Sequence, residues 1–340
     1  MKWFGRVVGT PLASRLMLVV TNELDRFRRD TDALARRDSR FLRAAVRGDG
    51  VTHEHLESAL ALILALTGMS MSEEGRRTLK VIELGGGDDR AEAETVGGTA
   101  ARANLLRALV ASGFSSFDRS DTWLDGEQLP AEVASRWATV RENLGRDLAF
   151  IEACGVDPDV YTQIQRASLY FSGRVDAGVA HTDGRALLEA HLLVARADLL
   201  AADTEAVRLL ARMDNPVLVQ VGATDDGATL LELLETVDRL RSPGRVMVSL
   251  AAGADVASLA PLIETVAAGR PATAWVGNPV PELAGADASP PAASQVVART
   301  SALSDAVEAV GSHLGGFDLE IHATQMAAAP VVLAALGADR

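Results

Sequence analysis

NPVLVQVG (Asn215–Gly222), PGRVMVSLAAGAD (Pro243–Asp255) and ATAWVGNPVP (Ala272–Pro281) repeat one unit: a short Val-rich run delivered to a turn. Apolar runs of this length, bounded by Gly, Pro and Asn, read as buried strands, because helices need roughly 10 or more residues. Helical patterns lie between them, at Ala228–Leu240 and Val256–Ala268. Strands that alternate with helices pair in parallel, since each crossover helix returns the chain to the same end of the sheet.

The same alternation extends outward in both directions. Candidate strands are Phe41–Val46, Thr78–Leu84, Ser168–Ser172, Leu192–Ala197, Val217–Val221, Arg245–Leu250, Thr273–Val276 and Asp318–His322. A further helix is predicted over Ser301–Leu314. Eight strands alternating with helices predict an α/β fold of the (β/α)8 barrel type, which takes about 250 residues. The surplus in a chain of 340 residues is assigned to two additions on a single barrel domain. One is an N-terminal helical extension, residues 1–39, with a charged-faced helix over 17–37. The other is a helical insertion after the second strand, 88–166, carrying Thr99–Ser112 and Pro130–Ala153. Pro281–Ser294 (PELAGADASPPAAS) predicts a mobile loop after the seventh strand.

Composition narrows the partners. The chain is 48% apolar but only 4% aromatic, so Ala, Val and Leu must build the core. A net charge of −13 argues against nucleic acid and against anionic membrane as partners. One cysteine, Cys154, excludes an internal disulfide and a multi-cysteine metal site. It follows an apolar helical pattern and is expected to be a small buried residue. Lys2 and Arg6 precede an apolar run, but Arg15 interrupts it, so no export signal is read. No uncharged apolar stretch reaches 18 residues, and a cytoplasmic location is expected.

Further anchors accompany the three opening strands: LKVIELGG (Leu79–Gly86), NLLRALVASGF (Asn104–Phe114), LAFIEACGV (Leu148–Val156), EAH (Glu189–His191) and GGFDLEIHAT (Gly315–Thr324). In order and spacing the chain resembles the class II 3-deoxy-arabino-heptulosonate 7-phosphate (DAHP) synthases, from about Leu16 to Gln325. That resemblance implies a homo-oligomeric barrel that joins phosphoenolpyruvate to erythrose 4-phosphate, with a divalent metal holding the aldehyde. It also implies a cage of Lys and Arg around the phosphates, which need cations in a cleft.

This chain departs from that pattern almost everywhere. The family's Arg after the second strand corresponds to Glu83, and its Gly-Glu-Arg triplet after the fourth to Arg196, Ala197 and Asp198. Its Lys on the fifth strand corresponds to Gln220, and its Arg on the sixth to Ala251. Among the implied metal ligands, the Cys falls on Gly48 or Gly50, the His on Pro281, and the final Asp has no counterpart before Arg340. Only the Glu is kept, as Glu320, and one ligand of four does not hold such a metal. A carboxylate about 5 Å from a phosphate charge costs roughly 3 kcal/mol at an effective dielectric of ~20. Glu83 and Asp198 should therefore repel phosphoenolpyruvate. No metal and no cofactor are expected.

Ligands of a barrel bind at the C-terminal ends of its strands. The candidate catalytic residues there are Glu320 and His322, two apart and so on one face of the last strand, with Glu83 and Asp198 as complementary carboxylates on neighbouring parts of the mouth. Glu320 could equally be a solvated relic, and Glu83 and Asp198 could equally pair with Arg174 and Arg196. Candidate substrate-binding residues are Gln220, Arg174, Arg196, Ser172 and Asn278. His53 and His55 read as a solvated helix start, Trp275 as core packing, and Gly85–Gly87 as a tight exit turn. Two functions stay open. One is a repurposed, metal-independent enzyme of natural-product metabolism, a lyase, isomerase or cyclase acting on a small molecule without phosphate. The other is a non-catalytic partner in a hetero-complex with a shikimate-pathway or biosynthetic enzyme.

Overall fold

The computed structural model describes residues 11–47, 52–74, 77–83, 96–114, 131–154, 169–174, 190–251, 255–280 and 293–322. Eight parallel strands close into a barrel in chain order: β1 (Ser39–Arg47), β2 (Arg77–Glu83), β3 (Leu169–Arg174), β4 (Leu192–Arg196), β5 (Val217–Val221), β6 (Val246–Leu250), β7 (Ala274–Gly277) and β8 (Leu314–His322). The expected (β/α)8 barrel is the observed one. Strands β4 to β7 are buried almost throughout, as the continuous apolar runs require.

Around the barrel lie α1 (Pro11–Ala35), α2 (His53–Glu74), α3 (Val96–Ala111), α4 (Ala131–Ala153), α5 (Ala197–Ala202), α6 (Thr204–Leu210), α7 (Gly227–Val237), α8 (Val256–Gly269) and α9 (Ala293–Glu308). The starts of α6, α7 and α8 are written in the sequence. Asp203, Asp226 and Asp255 each accept a hydrogen bond from a backbone N–H of the first turn. Helix α2 has little helical periodicity to detect, because Ala59–Leu66 are buried without interruption. His53 is exposed at its start, and His55 Nδ1 accepts from Thr52 N at 3.0 Å, as expected of a solvated helix start.

Two expectations are corrected here. The last helix is Ala293–Glu308, and not Ser301–Leu314. Gly311, at φ +74°, stops it: Ser312 N donates to Val307 O at 3.2 Å, which closes the helix end. Leu314 then opens β8, and Ala293 and Ser294 belong to the helix rather than the preceding loop. Cys154 is exposed at the end of α4, because that helix turns only part of its surface inward. The rest of the 281–294 loop and the Gly85–Gly87 turn lie outside the described residues.

Alternate strand residues point into the barrel. Phe41, Leu79, Tyr170, Leu192, Leu218 and Met247 fill the lower interior, and Leu24, Phe27 and Leu34 of α1 close it from below. Trp275 points outward, fully buried under the helices with Val219 and Val248. Two glycines allow close approaches. A Cβ on Gly244 (φ +68°) would lie 2.1 Å from Thr31 O, where α1 docks, and one on Gly316 (φ +155°) would lie 1.9 Å from Phe41 O, where β8 meets β1. Gly316→Ala is expected to destabilise the fold by roughly 2–4 kcal/mol, strain and overpacking combined, in urea denaturation. A change below about 1 kcal/mol would contradict that close approach.

Helix α1 is also pinned by charge. His191 Nδ1 accepts from Phe171 N at 3.1 Å, so the ring proton sits on Nε2, 3.1 Å from Glu23 Oε2. Arg107 donates to the same oxygen at 2.7 Å. Burial alone would raise the Glu23 carboxyl, but the His191 bond and the Arg107 charge outweigh it and hold it below its ordinary value. A carboxyl depressed in the folded state stabilises above its unfolded value and loses that contribution as pH falls through the folded one. Glu23→Gln should therefore lower the denaturation midpoint at pH 7, and the gap to wild type should close below about pH 4. An unchanged gap down to pH 3 would show that the Glu23 charge does not anchor the helix.

Candidate functional site

Above the apolar plug the barrel interior turns polar, and the change begins with Arg43. It occupies an inward position of β1, in register with Val81 and Asp318 of the flanking strands. Arg43 is fully buried, and its guanidinium reaches three carboxylates. It donates to Glu83 of β2 and to Asp318 of β8, and lies 3.5 Å from Glu320 Oε1. Its Nε donates to Ser172 Oγ of β3 at 3.1 Å. The second oxygen of Asp318 accepts from Gln220 Nε2 of β5 at 2.9 Å and from Ser249 Oγ of β6 at 2.7 Å. Gln220 Nε2 also donates to Glu320 Oε1 at 3.0 Å. Side chains from six strands thus form one connected polar layer.

Burial by itself would lower the Arg43 pKa. Asp318, Glu83 and Glu320 outweigh it and raise the value, so the guanidinium is held charged. Most of the layer is closed to solvent: the side chains of Arg43 and Asp318 are 0% exposed and that of Glu83 2%. Glu320 differs, with 24% of its side chain exposed, and it is the carboxylate that faces the mouth. This gradient gives the two acids distinct capacities. Glu83 serves as a counter-ion, whereas Glu320 is oriented by Arg43 and Gln220 yet open to a ligand.

The sequence-derived candidates separate accordingly. Glu83, Ser172, Gln220 and Glu320 come together in this layer. Asp198 does not join them, although it was expected beside Glu83. Arg196 ends β4 and Asp198 lies in the first turn of α5; both side chains are about half exposed and bind one another at 3.0 and 2.5 Å. Asn278 is buried just past β7, where its Oδ1 accepts from Val280 N at 3.0 Å and so stiffens its own turn. Arg174 and His322 are the last residues of β3 and β8, and their side chains lie outside the described residues.

Sequence reasoning missed Arg43, Asp318 and Ser249. Strand parity was the available signal: Asp318 lies two residues before Glu320, and Arg43 is a charge within the apolar run FLRAAV. It also missed Arg299 of α9, which donates to Asn278 O at 2.8 Å and Ala251 O at 2.6 Å, bracing the ends of β7 and β6.

A divalent metal does not fit these residues. An ion at Glu320 would face the N–H donors of Gln220 and Arg43, and the guanidinium already engages the other carboxylates. Among the described residues no group of three His, Cys, Asp or Glu is arranged to hold one. Among the same residues, no helix is long and apolar enough to cross a membrane.

Known proteins share this sequence pattern. The phospho-2-dehydro-3-deoxyheptonate aldolase of Streptomyces coelicolor is 23% identical over 190 residues, covering 54% of this chain and 42% of that protein. The phospho-2-dehydro-3-deoxyheptonate aldolase AroG of Mycolicibacterium smegmatis is 28% identical over 195 residues, 52% of this chain and 41% of its own length. The matches thus span about two fifths of these relatives. A truncated 3-deoxy-D-arabino-heptulosonate 7-phosphate synthase from Thermotoga maritima is 15% identical with a TM-score of 0.35, over 83% of this chain and 75% of that one. The sequence model of the class II DAHP synthetase family matches residues 93–329, well over half of the chain. With that match, which takes in strands β3 to β8 and the polar residues they carry, this chain belongs to the class II DAHP synthetase family.

Proposed function

We propose that this family member does not make DAHP and instead works as a metal-independent acid–base enzyme on a small, phosphate-free substrate. The reaction is of the lyase, isomerase or cyclase type, within natural-product metabolism. The observation that carries this reading is the Arg43 layer, in which three carboxylates surround a single guanidinium. A phosphate entering the mouth would meet Glu320 first, and the Arg43 guanidinium behind it is already committed to Asp318 and Glu83. Glu320 is the residue suited to take and return a proton, with His322 two positions along the same strand as its complement. Glu83 is suited to hold Arg43 in place.

The test is a coupled assay with phosphoenolpyruvate and erythrose 4-phosphate, in the presence of Mn²⁺, Co²⁺ or Zn²⁺. No consumption of phosphoenolpyruvate is expected, and calorimetry should find no stoichiometric metal. Turnover of the pair, or one tightly held ion lost in Glu320→Gln, would refute the proposal. A second reading has an observation in its favour. Because Arg43, Asp318, Glu83, Ser172 and Ser249 fill the upper interior, the barrel could serve as a non-catalytic partner of a biosynthetic enzyme. Mass spectrometry of small molecules that co-purify separates the two. A bound metabolite released by Glu320→Gln supports the enzyme, and an empty protein that co-purifies with a pathway enzyme supports the partner.

A further inference from the structure

The N-terminal face of the barrel carries a separate feature, remote from the mouth. A groove of about 1320 Å³ runs between α1 and the turns that lead into β5 and β6. Arg28, Arg29, Arg208, Arg212, Arg239 and Arg245 line it, in a chain whose net charge is −13.

The acids of the groove are largely engaged. Asp32 binds Arg36, Asp238 accepts from Arg270 at 2.6 Å and from Ser242 N at 3.1 Å, and Asp25 lies 3.9 Å from Arg28. Arg245 is engaged too, donating to the carbonyls of Asn215, Leu210 and Met213 and so tying the two turns together. What remains is Arg29, Arg208, Arg212 and Arg239. All are exposed, and none of their side chains makes a hydrogen bond or ion pair among the described residues.

Like charges gathered on one surface repel each other unless an anion joins them, and the planar guanidinium fork matches a carboxylate. Small-molecule sites are typically about 300–1,000 Å³ and mostly apolar. This groove is larger and lined by charge. Substrates of this fold bind at the opposite end of the strands. We propose that the groove docks an acidic polypeptide segment of a partner protein, with its Asp and Glu side chains paired by Arg29, Arg208, Arg212 and Arg239. The docking is independent of the chemistry at the mouth.

The experiment is fluorescence anisotropy with a labelled peptide of alternating Glu and Ser, beside an all-Ser/Gly peptide of equal length. The full chain should bind the acidic peptide saturably and the neutral one not at all. Binding should weaken about tenfold or more in the quadruple variant R29E/R208E/R212E/R239E, and should fade at high salt, since exposed charges are screened. Circular dichroism of the variant checks that these exposed changes leave the fold intact. No saturable binding by the wild type, or equal binding by the variant, overturns the proposal. Self-association of the wild type in sedimentation, lost in the variant, would overturn it in favour of a second copy of this chain as the occupant.

Discussion

Arg43→Met is expected to remove about 3–5 kcal/mol of stability at neutral pH, the range for breaking a buried ion pair by deleting one partner. The guanidinium is the counter-ion for Asp318 and Glu83, both closed to solvent, and methionine removes that charge from beside them. Methionine fills similar volume, so the loss reports charge rather than a cavity. The deficit should shrink toward acid pH, where the stranded carboxylates can take up protons. Combining Arg43→Met with Glu83→Gln and Asp318→Asn should restore part of the stability, because groups in one network are coupled. Urea denaturation measures each variant. An Arg43→Met protein within about 1 kcal/mol of wild type would mean that the layer is not organised around this residue.

Glu320→Gln is the second large effect. If the mouth is catalytic, turnover of the co-purified or identified substrate should fall by ~10²–10⁴, the usual contribution of a general acid or base. Stability should hold, since Gln keeps the shape and can still accept from Gln220 and Arg43. The pH–rate profile of the variant should lose one limb, which a merely structural role for Glu320 would leave in place. His322→Ala should behave similarly if that side chain is the complement. Activity within a few-fold of wild type in both variants would remove the catalytic assignment and leave the partner role as the better account.

The barrel was legible in the sequence because its strands are local events. A run such as VLVQV or VMVSL, closed by a turn, is a buried strand wherever the chain places it, and Asp203, Asp226 and Asp255 mark helix starts through bonds only two or three residues long. Alternation with helices then implies parallel pairing, and eight such units fit a closed barrel. The family pattern and the candidacy of Glu320, Gln220 and Glu83 were legible too, because strand ends in such a barrel converge. Helix α2 left a weaker trace, since burial on every side erases periodicity. The meeting of Arg43 with Asp318, 275 positions along the chain, was fixed only by closure of β8 onto β1. Closure also separated Glu83 from Asp198. Glu83 ends β2 and is buried beside a guanidinium, whereas Asp198 lies just past β4, at the start of α5, half exposed beside Arg196. Sequence determined which charges stand near the strand ends. The tertiary structure decided which of them are buried and paired, because inward or outward direction and register set both the solvent and the partner.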